Sequence, residues 1–203
     1  MAPRGFHKEE MEKIREKLIE VARRKFGAFG LKKTSIKDLT DECGIAQGSF
    51  YKFFDSKEHL YFAILELDEI EIKAELMKEF NGISKMNAAQ FAKIIIHAFQ
   101  LVEKYPVIQR MYFLDEYEAL VRKLPAELIE NHITSDASVF APLFQQWREE
   151  KVIDSTLSPG VITAALRMLF ILTAHKREIG ENIFDESLQL LIESLASRMF
   201  KEG

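Results

Sequence analysis

Four polar side chains lie within one six-residue stretch and carry groups that could bind a nucleic acid. The stretch is Gln-Gly-Ser-Phe-Tyr-Lys, and the side chains are those of Gln47, Ser49, Tyr51 and Lys52. On a short helix, Phe50 and Phe54 share one face, while the polar residues lie on or beside the other. A glutamine amide can pair with adenine through two hydrogen bonds, and a lysine prefers the acceptors of guanine. These residue types suit a helix that contacts DNA bases.

A short helix is predicted just before this stretch. Ser35 is followed three residues later by Asp38, which resembles a capping box with Asp in place of the usual Glu. Gly44 ends the helix, as a glycine just after a helix commonly does. Its apolar residues recur at helical spacing; they are Ile36, Leu39 and Cys43.

A turn and a further helix complete the unit. The turn Gly44-Ile45-Ala46 leads into the second short helix at about Gln47. Ser56 then caps a longer helix that begins at Lys57 and runs to about Phe80. Two short helices joined by a glycine-containing turn are typical of a helix-turn-helix, whose second helix can enter the major groove.

The motif resembles that of the TetR (tetracycline-repressor-like) transcription regulators. It fixes many positions over more than twenty residues, and the resemblance covers about the first third of the chain. Beyond it, only the helical pattern and the length agree. The segments that carry the resemblance are Thr34-Ser35, Gly44-Ile45-Ala46, Ser49-Phe50-Tyr51, Phe53-Phe54 and Ser56-Lys57-Glu58.

This resemblance implies a set of DNA contacts. Gln47, Ser49 and Lys52 would face the major groove, and Gly48 would let the helix approach the duplex closely. The resemblance assigns phosphate contacts to Tyr51 and Lys57. The start of the preceding helix offers hydroxyls, backbone donors and a cation to a phosphate, from Thr34, Ser35 and Lys37. For Ser35 and Ser56, helix capping is an equally good reading, and the two roles can coexist.

Two positions depart from the family pattern. Ala46 stands where a capping Ser or Thr is common, so the second helix starts without a side-chain acceptor. Phe53 stands where many members carry a His or Tyr that can bond phosphate, and a Phe ring cannot do so.

The whole chain is predicted to be all-α. We expect an N-terminal three-helix DNA-binding domain over residues 1–68 and a C-terminal helical bundle over residues 69–203, with the boundary inside the helix that starts at Lys57. In the bundle, Pro142 is expected to kink or break its helix. The predicted core of the first domain comprises Phe26, Phe29, Ile36, Leu39, Ile45, Phe50, Phe54 and Leu60.

Composition and charge limit the alternatives. The net charge is −4, but residues 1–60 hold 13 Lys and Arg against 10 Asp and Glu, a net of +3, while the remainder carries −7. A basic head on an acidic body favours DNA contact by the head. Cys43, the single cysteine, cannot form an internal disulfide. No apolar run is long enough to span a bilayer and no secretory signal is visible, so we expect a cytoplasmic protein without a membrane partner or a cofactor.

The resemblance also implies a small-molecule effector and a homodimer. The partners would be a palindromic operator, an unknown effector bound in the body, and a second copy joined through the helices Val161–Ala174 and Asp185–Phe200. A helix apolar nearly all round also fits the centre of a monomeric bundle. An aromatic residue at helical spacing is more often part of the core than of a pocket, and the candidate pocket residues are His97, Met111, Tyr112, Asp115, Phe140, Phe144, Trp147 and Arg167.

An all-helical enzyme and a protein-interaction bundle are the two alternative functions. An all-helical di-metal enzyme needs repeated Glu-x-x-His, and no Glu in this chain has a His three residues on. The common hydrolase, zinc and phosphate-loop motifs are also missing from the sequence. A protein-interaction bundle with a purely structural helix-turn-helix is the alternative to a dimeric repressor.

Overall fold

The computed structural model describes residues 8–83, 85–113 and 116–200, and within them the regular structure is entirely helical. The predicted all-α class is therefore confirmed. No helix in these ranges is long and apolar enough to cross a membrane.

The first part of the chain folds as the motif predicts. Helix α1 spans Lys8–Lys33, α2 spans Ile36–Cys43, a 3₁₀ helix spans Gln47–Lys52, and α3 spans Lys57–Asn81. Helical geometry in α1 breaks at Gly30, whose φ is 80° and ψ 169°. Helices α2 and α3 both pack on α1.

The core of this part forms largely from the predicted apolar residues, with one correction. Phe26, Leu39, Phe50 and Leu60 are fully buried. Phe29 was predicted to be buried too, but its side chain is 59% exposed. Helical spacing indicates which face of a helix a residue occupies, but burial also depends on whether another element covers that face at that residue.

In the described part of the remaining chain, seven further helices form the body. They are α4 Ala88–Val102, α5 Pro106–Phe113, α6 Glu116–Val121, α7 Ala126–Glu149, α8 Pro159–Thr173, α9 Lys176–Ile179 and α10 Phe184–Met199. Helix α10 packs on α4, α7 packs on α8, and α5 packs back on α1. Aromatic rings fill the centre of the bundle, notably those of Phe80, Phe91, Phe144, Trp147 and Phe200.

Two local details concern the sequence predictions. The helix that carries Gln47 is a 3₁₀ helix, and it starts without a side-chain cap at Ala46, as predicted. Pro142 does not break α7, which continues to Glu149. A proline costs a helix one hydrogen bond, and packing of α7 against α8 can offset that cost.

Candidate nucleic-acid interface

Ser35 caps helix α2 through a complete capping box. The Asp38 amide donates to Ser35 Oγ at 3.1 Å, and the Ser35 amide donates to Asp38 Oδ2 at 2.9 Å. The hydrogen bonds from the Ser35 side chain and backbone lower the pKa of Asp38. The Ser35 hydroxyl therefore already has a structural role, and it lies on the exposed surface where it can also meet a phosphate.

Thr34 and Lys57 form a structural joint rather than an open phosphate site. The Thr34 side chain is only 2% exposed, and its hydroxyl donates to the Gly30 carbonyl at 2.8 Å. The Lys57 ammonium donates to the carbonyls of Leu31 and Thr34, at 2.6 and 2.8 Å. The Thr34 hydroxyl, from which a phosphate contact was expected, is thus buried and already donates within the protein. Lys57 keeps one N–H for another acceptor.

The turn sets the direction of the 3₁₀ helix. Gly44 adopts a left-handed conformation with φ 74°, and its amide donates to the Asp41 carbonyl at 3.2 Å. An L-residue with a side chain rarely adopts this conformation, which explains a glycine at the end of α2. Phe50 and Phe54 then pack inward, and Arg15 of α1 lies 5.3 Å from the centre of the Phe54 ring.

The opposite side of the 3₁₀ helix faces solvent. Gln47, Gly48, Tyr51 and Lys52 are exposed, and Ser49 is half-buried. The Tyr51 ring is 58% exposed and meets Phe50 edge-on, with the ring centres 5.6 Å apart. A Cβ added at Gly48 would meet no atom within 4 Å, so this position leaves open space for an incoming surface.

Three lysines lie near the start of α2. Lys37 is exposed and pairs with Asp41 one turn later, and the hydrogen bond to Asp41 raises the pKa of Lys37. Lys32 and Lys33 are exposed at the end of α1, directly before the α2 cap. Lys32 and Lys33 were not among the predicted contacts, although two adjacent lysines beside a predicted helix start are a visible signal for anion binding.

Two residues of the body hold the end of α1 in place. Arg110 of α5 donates to the carbonyls of Gly27 and Ala28 at 2.7 and 2.6 Å. The Glu116 carboxylate of α6 accepts from the Leu31 amide at 3.2 Å. Arg110 and Glu116 lie 3.8 Å apart, so together they satisfy both donors and acceptors where α1 stops being helical. We call this pair the α1 clasp.

The comparisons with known proteins agree with this geometry. The sequence profile described as "Bacterial regulatory proteins, tetR family" matches residues 18–64. Over 166 residues the chain is 34% identical to YfiR of Bacillus subtilis, an uncharacterized HTH-type transcriptional regulator, and the match covers 81% of this chain and 78% of YfiR. The chain belongs to the TetR family.

Solved structures share the whole fold. A TetR-family regulator from Pectobacterium atrosepticum matches with a TM-score of 0.76 at 20% identity, covering 97% of this chain and 99% of that one. The SmeT–triclosan complex matches with a TM-score of 0.62 at 15% identity, covering 94% and 93%; SmeT is the repressor of a Stenotrophomonas maltophilia multidrug efflux pump. As a TetR-family member, this chain is a DNA-binding transcriptional regulator and not an enzyme.

The body of this TetR-family chain contains an apolar cavity of about 150 Å³. Helices α3, α4, α7 and α8 line most of it, and among the candidate pocket residues Phe140, Phe144 and Arg167 are at its wall. The wall also includes residues that were not predicted to line a pocket, notably Glu69, Lys73 and Leu166. Their side chains come together from helices far apart in sequence, so no local pattern marks them.

The other pocket candidates lie elsewhere or outside the described residues. Met111 and Trp147 are buried in the core and do not line the cavity. His97 lies outside the lining too, and its Nδ1 is 2.6 Å from Glu79 Oε1. The side chain of Tyr112 and the whole of Asp115 fall outside the described part of the chain.

Helices α8 and α10 leave large apolar side chains in solvent. Val161, Met168 and Ile171 of α8 are exposed, and so are Leu190 and Leu191 of α10. These are the helices on which a dimer interface was expected, and an apolar surface of this kind favours association.

Proposed function

We propose that this chain is a homodimeric, cytoplasmic repressor that binds a palindromic operator and leaves it when a small apolar or amphipathic ligand occupies the body. The division into a DNA-binding part, residues 1–68, and an effector-binding and dimerising part, residues 69–203, belongs to this proposal. The observation that carries it is the solvent-facing side of the 3₁₀ helix, where polar side chains surround a glycine with open space above it.

The proposed DNA contacts fall into two groups. Gln47, Ser49 and Lys52 read base edges, while Gly48 allows close approach. Phosphates are held by Tyr51, by Ser35 and Lys37 at the start of α2, and by Lys32 and Lys33 beside it. Lys57 contributes mainly by fixing the joint between α1 and α3, with one N–H left for a phosphate.

Two further observations support the dimer and the effector. The exposed apolar residues of α8 and α10 provide a surface that a second copy could cover, and a two-fold protein matches two operator half-sites. The cavity is mostly apolar with a few charged groups, as small-molecule sites usually are. The structurally similar SmeT forms a complex with triclosan, a small, largely apolar molecule.

Selection from a pool of random duplexes tests the proposal. The protein is mixed with the pool, the retained DNA is sequenced, and the Tyr51→Phe/Lys52→Ala variant serves as the DNA-contact variant. We expect a palindrome to be enriched by the unmodified protein and lost with this variant. Binding should weaken with salt, with a slope of about −0.9 per phosphate neutralised.

The control variant is Gln100→Ala, which changes an exposed residue of α4 far in sequence from the motif. It should retain the same palindrome with the same affinity. A folded, unliganded protein that enriches no sequence would overturn the proposal and favour a structural helix-turn-helix in a protein-interaction module.

A further inference from the structure

The cavity has an apolar part whose size limits the ligand. Aromatic side chains form much of its wall, among them Phe140, Phe144 and Phe170. The Phe170 ring is itself fixed by stacking on Phe99, with the ring centres 4.3 Å apart. A cavity of about 150 Å³ lined by apolar side chains can hold a benzene ring. The apolar part of the ligand is therefore about the size of one ring.

Three charged side chains also line the cavity: Glu69 and Lys73 of α3, and Arg167 of α8. Glu69 is only 8% exposed, and Lys73 Nζ lies 3.1 Å from its Oε2. His132 of α7 approaches the same oxygen, with its Nε2 at 3.4 Å. The buried carboxylate is thus already neutralised by neighbouring basic groups.

The ionisation of Glu69 follows from these partners. Burial by itself would raise the pKa of this carboxyl, because a charge is less stable away from water. The hydrogen bonds and charges of His132 and Lys73 outweigh burial and lower the pKa of Glu69. A cationic ligand would have to compete with partners that Glu69 already has.

Arg167 differs from Glu69 in its interaction partners. One of its terminal nitrogens, Nη2, donates to the Ile133 carbonyl at 2.9 Å, which fixes the guanidinium against α7. Among the side chains that the structure describes, which leave out those of residues 136–138, no carboxylate lies within ion-pairing distance of Arg167. A guanidinium has five N–H donors in a planar fork that matches a carboxylate. Arg167 therefore presents an oriented cation, with donors to spare, at the wall of an apolar cavity.

We propose that this cavity binds a small amphipathic carboxylate, whose anionic group pairs with Arg167 and whose ring-sized apolar part lies among Phe140, Phe144 and Phe170. The inference rests on the proposed effector function of the body and specifies the ligand's charge. A charge-assisted hydrogen bond to an oriented guanidinium is stronger than a bond to a neutral group.

Calorimetry with three probes tests this proposal without any DNA. The probes are hydrocinnamate, hydrocinnamyl alcohol and the corresponding primary amine, which share one phenylpropyl skeleton and carry a negative, neutral and positive end at neutral pH. We expect the carboxylate to bind about tenfold more tightly than the alcohol, and the amine to bind most weakly.

Variants of Arg167 test whether its guanidinium is responsible for the preference for the carboxylate. Arg167→Gln should abolish the preference for the carboxylate, while Arg167→Lys should retain its sign with a smaller ratio. Arg177→Gln is the matched control, because Arg177 is an exposed residue of α9 that does not line the cavity. Circular dichroism confirms that each variant is folded.

Three results would overturn the inference: no binding of any probe, equal or tighter binding of the alcohol or amine, or an unchanged preference in Arg167→Gln. Operator binding by the same preparations is measured separately. If DNA is bound but the carboxylate is not preferred, the ligand inference fails and the regulator stands. If the carboxylate binds but no operator is found or released, the proposed function fails instead.

Discussion

At the scale of single residues, Lys57 illustrates how a motif position can serve the fold. Its ammonium donates hydrogen bonds to the carbonyls of Leu31 and Thr34. These two carbonyls have no helical partners at the end of α1. Lys57 opens α3, so this one side chain ties the start of α3 to the segment that leads into α2. Lys57 therefore helps to position the helices that are proposed to contact DNA.

Replacing Lys57 by Met tests this role. The variant keeps an apolar stem but removes the donors, so two partly buried carbonyls lose their hydrogen bonds. We expect the free energy of unfolding to fall by about 1 to 3 kcal/mol, measured by urea titration. Lys37→Met is the control, since Lys37 is exposed and paired only with Asp41 in α2. It should weaken DNA binding with a stability change of about 0.5 kcal/mol or less. Equal stability losses in both variants would contradict the structural role.

At the scale of elements, the end of α1 is set by the body as well as by its own sequence. The α1 clasp supplies donors to the carbonyls of Gly27 and Ala28 and an acceptor to the Leu31 amide. Gly30 lies between them with φ 80°, and a Cβ at this position would come within 2.2 Å of Glu116 Oε1. Only glycine fits both the backbone conformation and the approach of the carboxylate.

A pair of glycine substitutions separates folding from DNA contact. Gly30→Ala should destabilise the protein by about 1 to 3 kcal/mol through backbone strain, with added displacement of Glu116, and thermal unfolding measures this loss. Gly48→Ala should leave the melting temperature nearly unchanged, because a Cβ there meets open space. It should instead weaken operator binding, since the added methyl group lies on the face proposed to approach the duplex. A Gly30→Ala protein as stable as the parent would refute this account of the clasp.

The elements also show what local sequence can and cannot predict. Helix starts and ends at Ser35, Gly44 and Ser56 were predictable because caps depend on residues within one turn. The candidate DNA-facing side was predictable from the spacing of Phe50 and Phe54. The partners of Lys57, the clasp and the cavity wall depend on residues far apart in sequence, for which helical periodicity carries no information.

The exposure of Phe29 and the depth of Thr34 have the same origin. Periodicity assigns a residue to a face, but burial depends on whether another helix extends over that face. Phe26 packs against Tyr61 of α3, with the ring centres 5.1 Å apart, and is fully buried, whereas Phe29 is exposed. Thr34 is a polar residue that can be buried because its hydroxyl donates a hydrogen bond to the Gly30 carbonyl.

At the scale of the whole molecule, the exposed apolar side chains of α8 and α10 predict the assembly. Burying such residues between two copies removes apolar surface from water. A two-fold axis would then relate the two DNA-binding parts. The double variant Met168→Glu/Leu190→Glu puts a charge on each of these helices. We expect it to sediment as a monomer where the parent sediments as a dimer, and to bind the operator far more weakly, because a monomer engages one half-site at a time.

Ile70→Glu is the control, since Ile70 is equally exposed on α3, outside the proposed interface, and should leave the dimer intact. A double variant that remains dimeric would mean that the two copies meet through another surface, and a monomeric parent would remove the basis for a two-fold operator.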